Sequence, residues 1–369
     1  MLKTVAFILF LLVNPKAFCQ ESKKPSPQPD MAIQLDFGSA QAVTNLLAKT
    51  KTTDAELDEI AKLYGSQQLI RKVTSYNKTG TEAAFKQTLR EMVETGTVKG
   101  NDPFEWKAVK AKLPEIRALV RQLETKASFI EDVKALILPY SPATLPVKAR
   151  ACFLVGGGAL GFTIGSDDTF NVALQKIGDD YEGLVYLVAH ELYHTIQQVG
   201  ERHRTNGKTA ANPPKNIDRT YTLLANLWAE GSASLVGDFT KIKQPGGFSK
   251  EQQEQYARNG QRSQQNFALF ESLLFSAFHD STANLSELYN IGFTVAFDET
   301  SYFMGYRMAK VIEEYRGKDV LAGLITKSPI EFCQIYRAIY TQFPDRNIIH
   351  FSGSTEAILT RMEAWKDKL

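Results

Sequence analysis

Only three cysteines occur among 369 residues, and one of them, Cys19, lies in the apolar N-terminal stretch. So few cannot form a disulfide framework, and the chain must hold itself together by burial. Cys152 and Cys333 each sit in an apolar stretch, where a buried thiol and a disulfide are both open readings. An excess of one charge is also missing, since 43 basic residues stand against 41 acidic ones. That balance leaves no electrostatic footprint for a phosphate backbone and argues against a nucleic-acid partner. Beyond the N-terminus, no apolar run approaches the roughly 18 residues that a membrane-spanning helix needs. A phosphate-binding glycine loop is absent too. Gly156-Gly157-Gly158 is not followed by Gly-Lys-Ser/Thr and does not fit Gly-x-Gly-x-x-Gly, so it reads as a tight strand exit. The stretch from about Phe37 to Leu138 shows no clear internal repeat.

The first residues do not belong to a core. Lys3 supplies a positive charge, residues 5–13 form an unbroken apolar run, and Asn14-Pro15 breaks it. Ala17 and Cys19 place small side chains where a signal peptidase reads them. Residues 1–19 therefore read as a cleaved secretory signal, with Gln20 starting the mature chain. Periplasmic or extracellular location is the expectation. Acylation of Cys19 is a less favoured reading, because Lys16 and Phe18 fit poorly before a lipidated cysteine. An uncleaved N-terminal anchor is the other alternative. Removing residues 1–19 takes away Lys3 and Lys16 and no acid, leaving a formally neutral protein.

Residues 20–30, rich in Lys, Ser, Pro and Gln, read as a flexible tether. Residues 31–145 read as a helical N-terminal domain. Ala40, Val43, Leu46 and Leu47 recur at helical spacing, as do Leu113, Ile116, Leu119, Val120 and Leu123. The texture changes near Pro139. Residues 151–155 read as a buried strand, and 162–174 as a second strand-like stretch with Asp167-Asp168 as a turn. Helical periodicity then runs from Tyr181 to the C-terminus, interrupted by polar loops at 201–218 and 243–249. The fold class expected is α+β and mostly helical, with a small sheet followed by helices in a second domain over 146–369.

The decisive segment is Leu184-Val185-Tyr186-Leu187-Val188-Ala189-His190-Glu191-Leu192-Tyr193-His194-Thr195-Ile196. Neither Gly nor Pro interrupts it, and Leu184, Leu187, Val188, Leu192 and Ile196 form a helical apolar stripe. Residues four apart project from one face of a helix, so His190 and His194 can offer ring nitrogens to one metal ion. Glu191 leaves the helix about 100° round from His190 and can reach a water at the metal without being a ligand. Imidazole and carboxylate are the donors zinc favours, and three of them leave a position for water. The carboxylate beside that water then serves as general base. Two imidazoles and a carboxylate in apolar surroundings need partners, which argues against an accidental surface pair.

A third ligand is required. Glu230 is an acid in an otherwise uncharged segment, Leu227-Trp228-Ala229-Glu230-Gly231-Ser232-Ala233-Ser234, within a second helical stretch at 221–239. Gly231 and Ala233 would let this helix pack closely against the first. Taken alone, Glu230 is equally well a plain surface acid.

His190-Glu191-x-x-His194 followed by Trp228-x-Glu230-Gly231-x-Ala233 resembles the gluzincin metallopeptidases. In these a Glu on a following helix is the third zinc ligand. The Trp-x-Glu-Gly-x-Ala stretch is similar to the M1 aminopeptidase motif. As a whole the chain is more similar to bacterial zinc-dependent peptidases of the DUF5700 and DUF2268 type, in which a helical region precedes the His-Glu-x-x-His helix. The resemblance covers roughly residues 150–310. It implies one zinc ion held by His190, His194 and Glu230, with Glu191 activating water against a peptide bond. Tyr302-Phe303-Met304-Gly305 is similar to the Tyr-x-x-Gly of M1 enzymes, whose Tyr stabilises the oxyanion. Tyr302 is the expected donor, Tyr306 is second, and a plain core aromatic is the alternative.

The likeness has limits. Between His194 and Glu230 lie 35 residues, more than in M1 enzymes, and the polar segment 201–218 accounts for the excess as a loop near the mouth of the site. The Gly-x-Met-Glu-Asn motif that reads a substrate's amino terminus is not recognisable. Gly158-Ala159-Leu160 comes nearest and lacks the Glu, so aminopeptidase specificity is not implied. Residues 162–174 occupy the place of the edge strand that pairs with extended substrate. His203, His279 and His350 receive no role. A peptide or protein is the expected substrate. A metal-binding module without turnover and a metallohydrolase acting on another bond are the competing readings.

Overall fold

The computed structural model describes residues 30–163, 169–206 and 212–369. The expected signal, Cys19, most of the tether and the Asp167-Asp168 turn lie outside them. So does the middle of the 201–218 loop.

The described residues are mostly helical, with one small mixed sheet, as an α+β chain should be. Strand β1 (Met31–Asp36) leads into helices α1 (Gly38–Leu47), α2 (Asp54–Lys62), α3 (Tyr64–Tyr76), α4 (Glu82–Thr95), α5 (Trp106–Ala111), α6 (Leu113–Thr125) and α7 (Phe129–Ile137). Strands β2 (Val147–Leu154), β3 (Gly161–Phe162) and β4 (Thr169–Ala173) follow. Then come α8 (Tyr181–Thr205), α9 (Lys215–Val236), α10 (Gly247–Gln261), α11 (Ser263–His279), α12 (Leu285–Phe293), α13 (Thr300–Arg316), α14 (Lys318–Leu324), α15 (Pro329–Gln342) and α16 (Gly353–Met362).

The strands lie in the order β1-β2-β4-β3. Parallel pairing sets Met31 opposite Val147 and Asp36 opposite Cys152, and likewise Arg150 opposite Thr169. β3 runs antiparallel to β4 at one edge, Gly161 opposite Val172. The central strand β2 is buried over its apolar end, Ala151 to Leu154, as a parallel strand covered on both faces must be. One correction concerns Met31–Asp36, expected within a helical part and found as a strand. The 145/146 boundary therefore separates two strands that are hydrogen-bonded to each other. One continuous apolar core runs from Met31 to Met362.

The glycine run ends β2 with φ of +107° at Gly156 and +73° at Gly157. A side chain on Gly156 would stand 2.9 Å from the carbonyl oxygen of Phe104. The backbone of Gly157 donates to that same oxygen at 2.7 Å. These glycines thus serve a close backbone crossing between the sheet and the N-terminal helices. Cys152 and Cys333 are both buried, and no disulfide joins them.

Helix α8 is started by Asp180, whose carboxylate accepts from the Gly183 amide at 2.8 Å. The same buried carboxylate accepts from the amide and hydroxyl of Ser249 on α10, at 2.7 and 2.6 Å. Leu184, Leu187, Val188, Leu192 and Ile196 are all buried, and α8 packs along β2 and α7. This apolar stripe leaves the His190–His194 side of the helix facing α9 and a cleft.

Candidate metal centre

Three helices bring the site together, and glycines set how close they come. Where α9 ends, a side chain on Gly237 would lie 2.8 Å from Cβ of His190. Between α9 and α13 the approach is closer still. A Cβ on Gly231 would fall 2.3 Å from the backbone of Gly305, and one on Gly305 would fall 2.3 Å from the Leu227 carbonyl oxygen. Gly231 therefore packs against α13, which corrects the expectation that it meets the His-bearing helix. Ligand residue and tyrosine follow from this crossing. Glu230 precedes Gly231 in the chain, and Tyr302 stands one turn before Gly305.

His190, His194 and Glu230 converge. His194 Nε2 lies 3.2 Å from His190 Nε2 and 3.2 Å from Glu230 Oε2, and His190 Nε2 lies 3.5 Å from that oxygen. Donors about 2.0–2.1 Å from a tetrahedral metal stand about 3.3 Å from one another. The observed triangle has that size, so the donor set fits one zinc-sized ion. Electrostatics point the same way. Burial works against a charged His194, but Glu230 outweighs it and raises the imidazole to about 9. Burial likewise opposes a charged Glu230, yet the two histidines hold its carboxyl well below the usual carboxylate range. The three side chains are arranged to hold a positive charge between them.

Glu191 lies outside this triangle and lines the same cleft, of about 560 Å³. Burial raises its carboxyl above the usual range; Glu230 adds to the rise and the histidines oppose it. The Tyr302 ring lies parallel to the His190 ring, centroids 6.4 Å apart, and also lines the cleft. Tyr306 does not. Its hydroxyl donates to Asp238 Oδ2 at 3.0 Å and accepts from Lys310 Nζ at 3.0 Å. The cleft's other walls come from Gly161, Phe162 and Thr163 at the sheet edge, and from Glu201, Tyr221 and Asn226 further along α8 and α9.

A family model described as "Putative zinc dependent peptidase (DUF5700)" matches residues 57–344. The chain belongs to this family. No curated protein and no solved structure matches it. The family match spans every converging residue, and it also takes in most of the N-terminal helices.

The other histidines stand elsewhere. His203 is exposed on the last turn of α8, His279 packs on Phe275, and His350 stacks on Tyr340. Sequence reasoning missed Gln197, whose Oε1 accepts from His194 Nδ1 at 2.7 Å. Its place three residues after His194, on the same helix face, was the available signal.

Proposed function

We propose that this protein is an exported zinc-dependent peptidase of gluzincin type, in which His190, His194 and Glu230 hold the metal and Glu191 is the general base. The observation that carries the reading is the triangle of donor atoms, 3.2, 3.2 and 3.5 Å on its sides, with a second acid, Glu191, beside it that takes no part in it. A zinc ion in that triangle would act as a Lewis acid toward a water and the scissile carbonyl.

The chain's own groups do the rest. Glu191 accepts a proton from the attacking water and passes it to the departing amine. Its raised carboxyl suits both tasks, because a base nearer neutrality also gives its proton back. Tyr302 stays protonated, since burial above all, reinforced by Glu230, pushes its phenol far above the ordinary value. It can therefore only donate toward a developing oxyanion. Among the described residues the short strand β3 is the edge of the sheet beside the cleft, and an extended peptide would add to it as a further strand. Residues 1–19 serve as the export signal.

The test is hydrolysis of a peptide library by wild type and by Glu191→Gln at matched zinc content. The variant should keep its zinc and lose cleavage by a factor on the order of 10²–10⁴. An active Glu191→Gln protein would sink this mechanism.

A further inference from the structure

Gln197 is 4% exposed, and its side chain is held in a definite order. Its Nε2 donates to the Ala229 carbonyl at 3.0 Å and to Ser232 Oγ at 2.8 Å. Its Oε1 faces His194 Nδ1 at 2.7 Å. Ser232 Oγ donates in turn to the Trp228 carbonyl at 2.7 Å.

The directions follow by elimination. A backbone carbonyl can only accept, so the amide nitrogen must be the end that faces Ala229. Ser232 agrees, because its proton is committed to Trp228 and only its lone pairs remain for Gln197. The oxygen of Gln197 is left for His194, and an oxygen can only accept. His194 must therefore carry its proton on Nδ1. The lone pair of the ring then stands at Nε2, the nitrogen 3.2 Å from Glu230 Oε2. An uncharged amide does this without adding a further carboxylate to a site that already holds Glu191 and Glu230.

We propose that Gln197 is a positioning residue, which sets the tautomer and ring angle of His194 and makes both depend on α9 being docked against α8. The proposal rests on the metal reading of the preceding section. Its structural content is that Trp228, Ala229 and Ser232 flank Glu230, so one stretch of α9 delivers the third ligand and also orients the second. With the two helices apart, His194 would lack both its partner acid and its fixed tautomer. At 4% exposure, water is poorly placed to replace the amide.

Zinc affinity of the purified protein, measured by competition with a chromophoric chelator, tests this. Gln197→Leu removes the acceptor for Nδ1 and should weaken zinc binding about 10–100-fold. Gln197→Glu keeps an accepting oxygen but loses the donation to Ala229, and should weaken zinc binding less than Gln197→Leu does. Equal weakening in both variants would mean that Gln197 only braces α8 against α9, and unchanged affinity in Gln197→Leu would remove any role; either result overturns the proposal. Should the variants fail to fold, ¹H–¹⁵N correlation of the His194 ring in zinc-loaded wild type decides. A proton on Nδ1 is expected, and one on Nε2 overturns the assignment. Wild type that binds no zinc would remove the metal reading itself, and this proposal with it.

Discussion

A carboxylate oxygen and two imidazole nitrogens that all lie within 3.5 Å of one another need a positive charge among them. A proton on His194 can supply it, and so can a metal ion, so the two compete. Glu230 raises the His194 imidazole from 6.5 to about 9 against the opposing effect of burial. A group whose value rises on folding adds stability that is fully present below its unfolded value. That stability is lost as pH climbs through the folded value. The melting temperature of chelator-treated protein should therefore fall between pH 6.5 and about 9. In Glu230→Ala, which lacks the partner acid, the fall should be much smaller. Zinc affinity should run the other way, weakening by about tenfold for each pH unit below 9, because the ligand must shed its proton. Thermal unfolding across this window checks the first expectation; a metal-free melting temperature that holds level or rises would contradict it. At this scale the sequence was most informative. Two histidines four apart around a glutamate on an apolar-striped helix dictate a shared face whatever the rest of the chain does. Gln197 was within reach of the same reasoning but not its meaning, because the Ala229 carbonyl that orients it belongs to another helix.

Helices α9 and α13 cross backbone to backbone at Gly231 and Gly305, and no side chain fits between them. Gly305→Ala would force the helices apart by about an ångström and should cost about 1–3 kcal/mol of stability, read by denaturant unfolding. The three proposed ligands sit on α8 and α9, whereas Tyr302 sits on α13. The same variant should therefore keep its zinc while hydrolysis drops on the order of a hundredfold, the loss expected of a catalytic group displaced by that distance. Wild-type stability in Gly305→Ala would show that the crossing tolerates a methyl group and would undo this argument. The element scale was only partly legible beforehand. Gly231 is legible as a close-packing residue, but its partner is not, because both α8 and α13 flank α9 and only the fold places it against Gly305. Helical periodicity located α8 and α9 because each buries a stripe. The strand Met31–Asp36 escaped notice because its partner, β2, begins at Val147 and a parallel pair leaves no hairpin turn between its strands.

Across the whole molecule, the sheet joins the N-terminal segment to the part that bears α8 and α9. β2 pairs with β1 on one side and β4 on the other, while α8 packs along it. Gly156 presses against Phe104 and Trp106 at the start of α5, and Gly157 against Leu69 of α3. The N-terminal helices thus share one core with the helices that follow the sheet. Composition could indicate a mostly helical α+β chain, but not this sharing, which depends on contacts more than 100 residues apart in sequence. A molecule built this way should present its three donors as one rigid set, drawn from two helices seated on a common core. The central claim is that this set holds zinc, and elemental analysis of the purified protein, wild type beside Glu230→Ala, tests it most directly. Wild type should hold about one equivalent of zinc, from three ligands and one open position, and the variant should lose most of it. Wild-type protein that holds no metal even after zinc is supplied would contradict it.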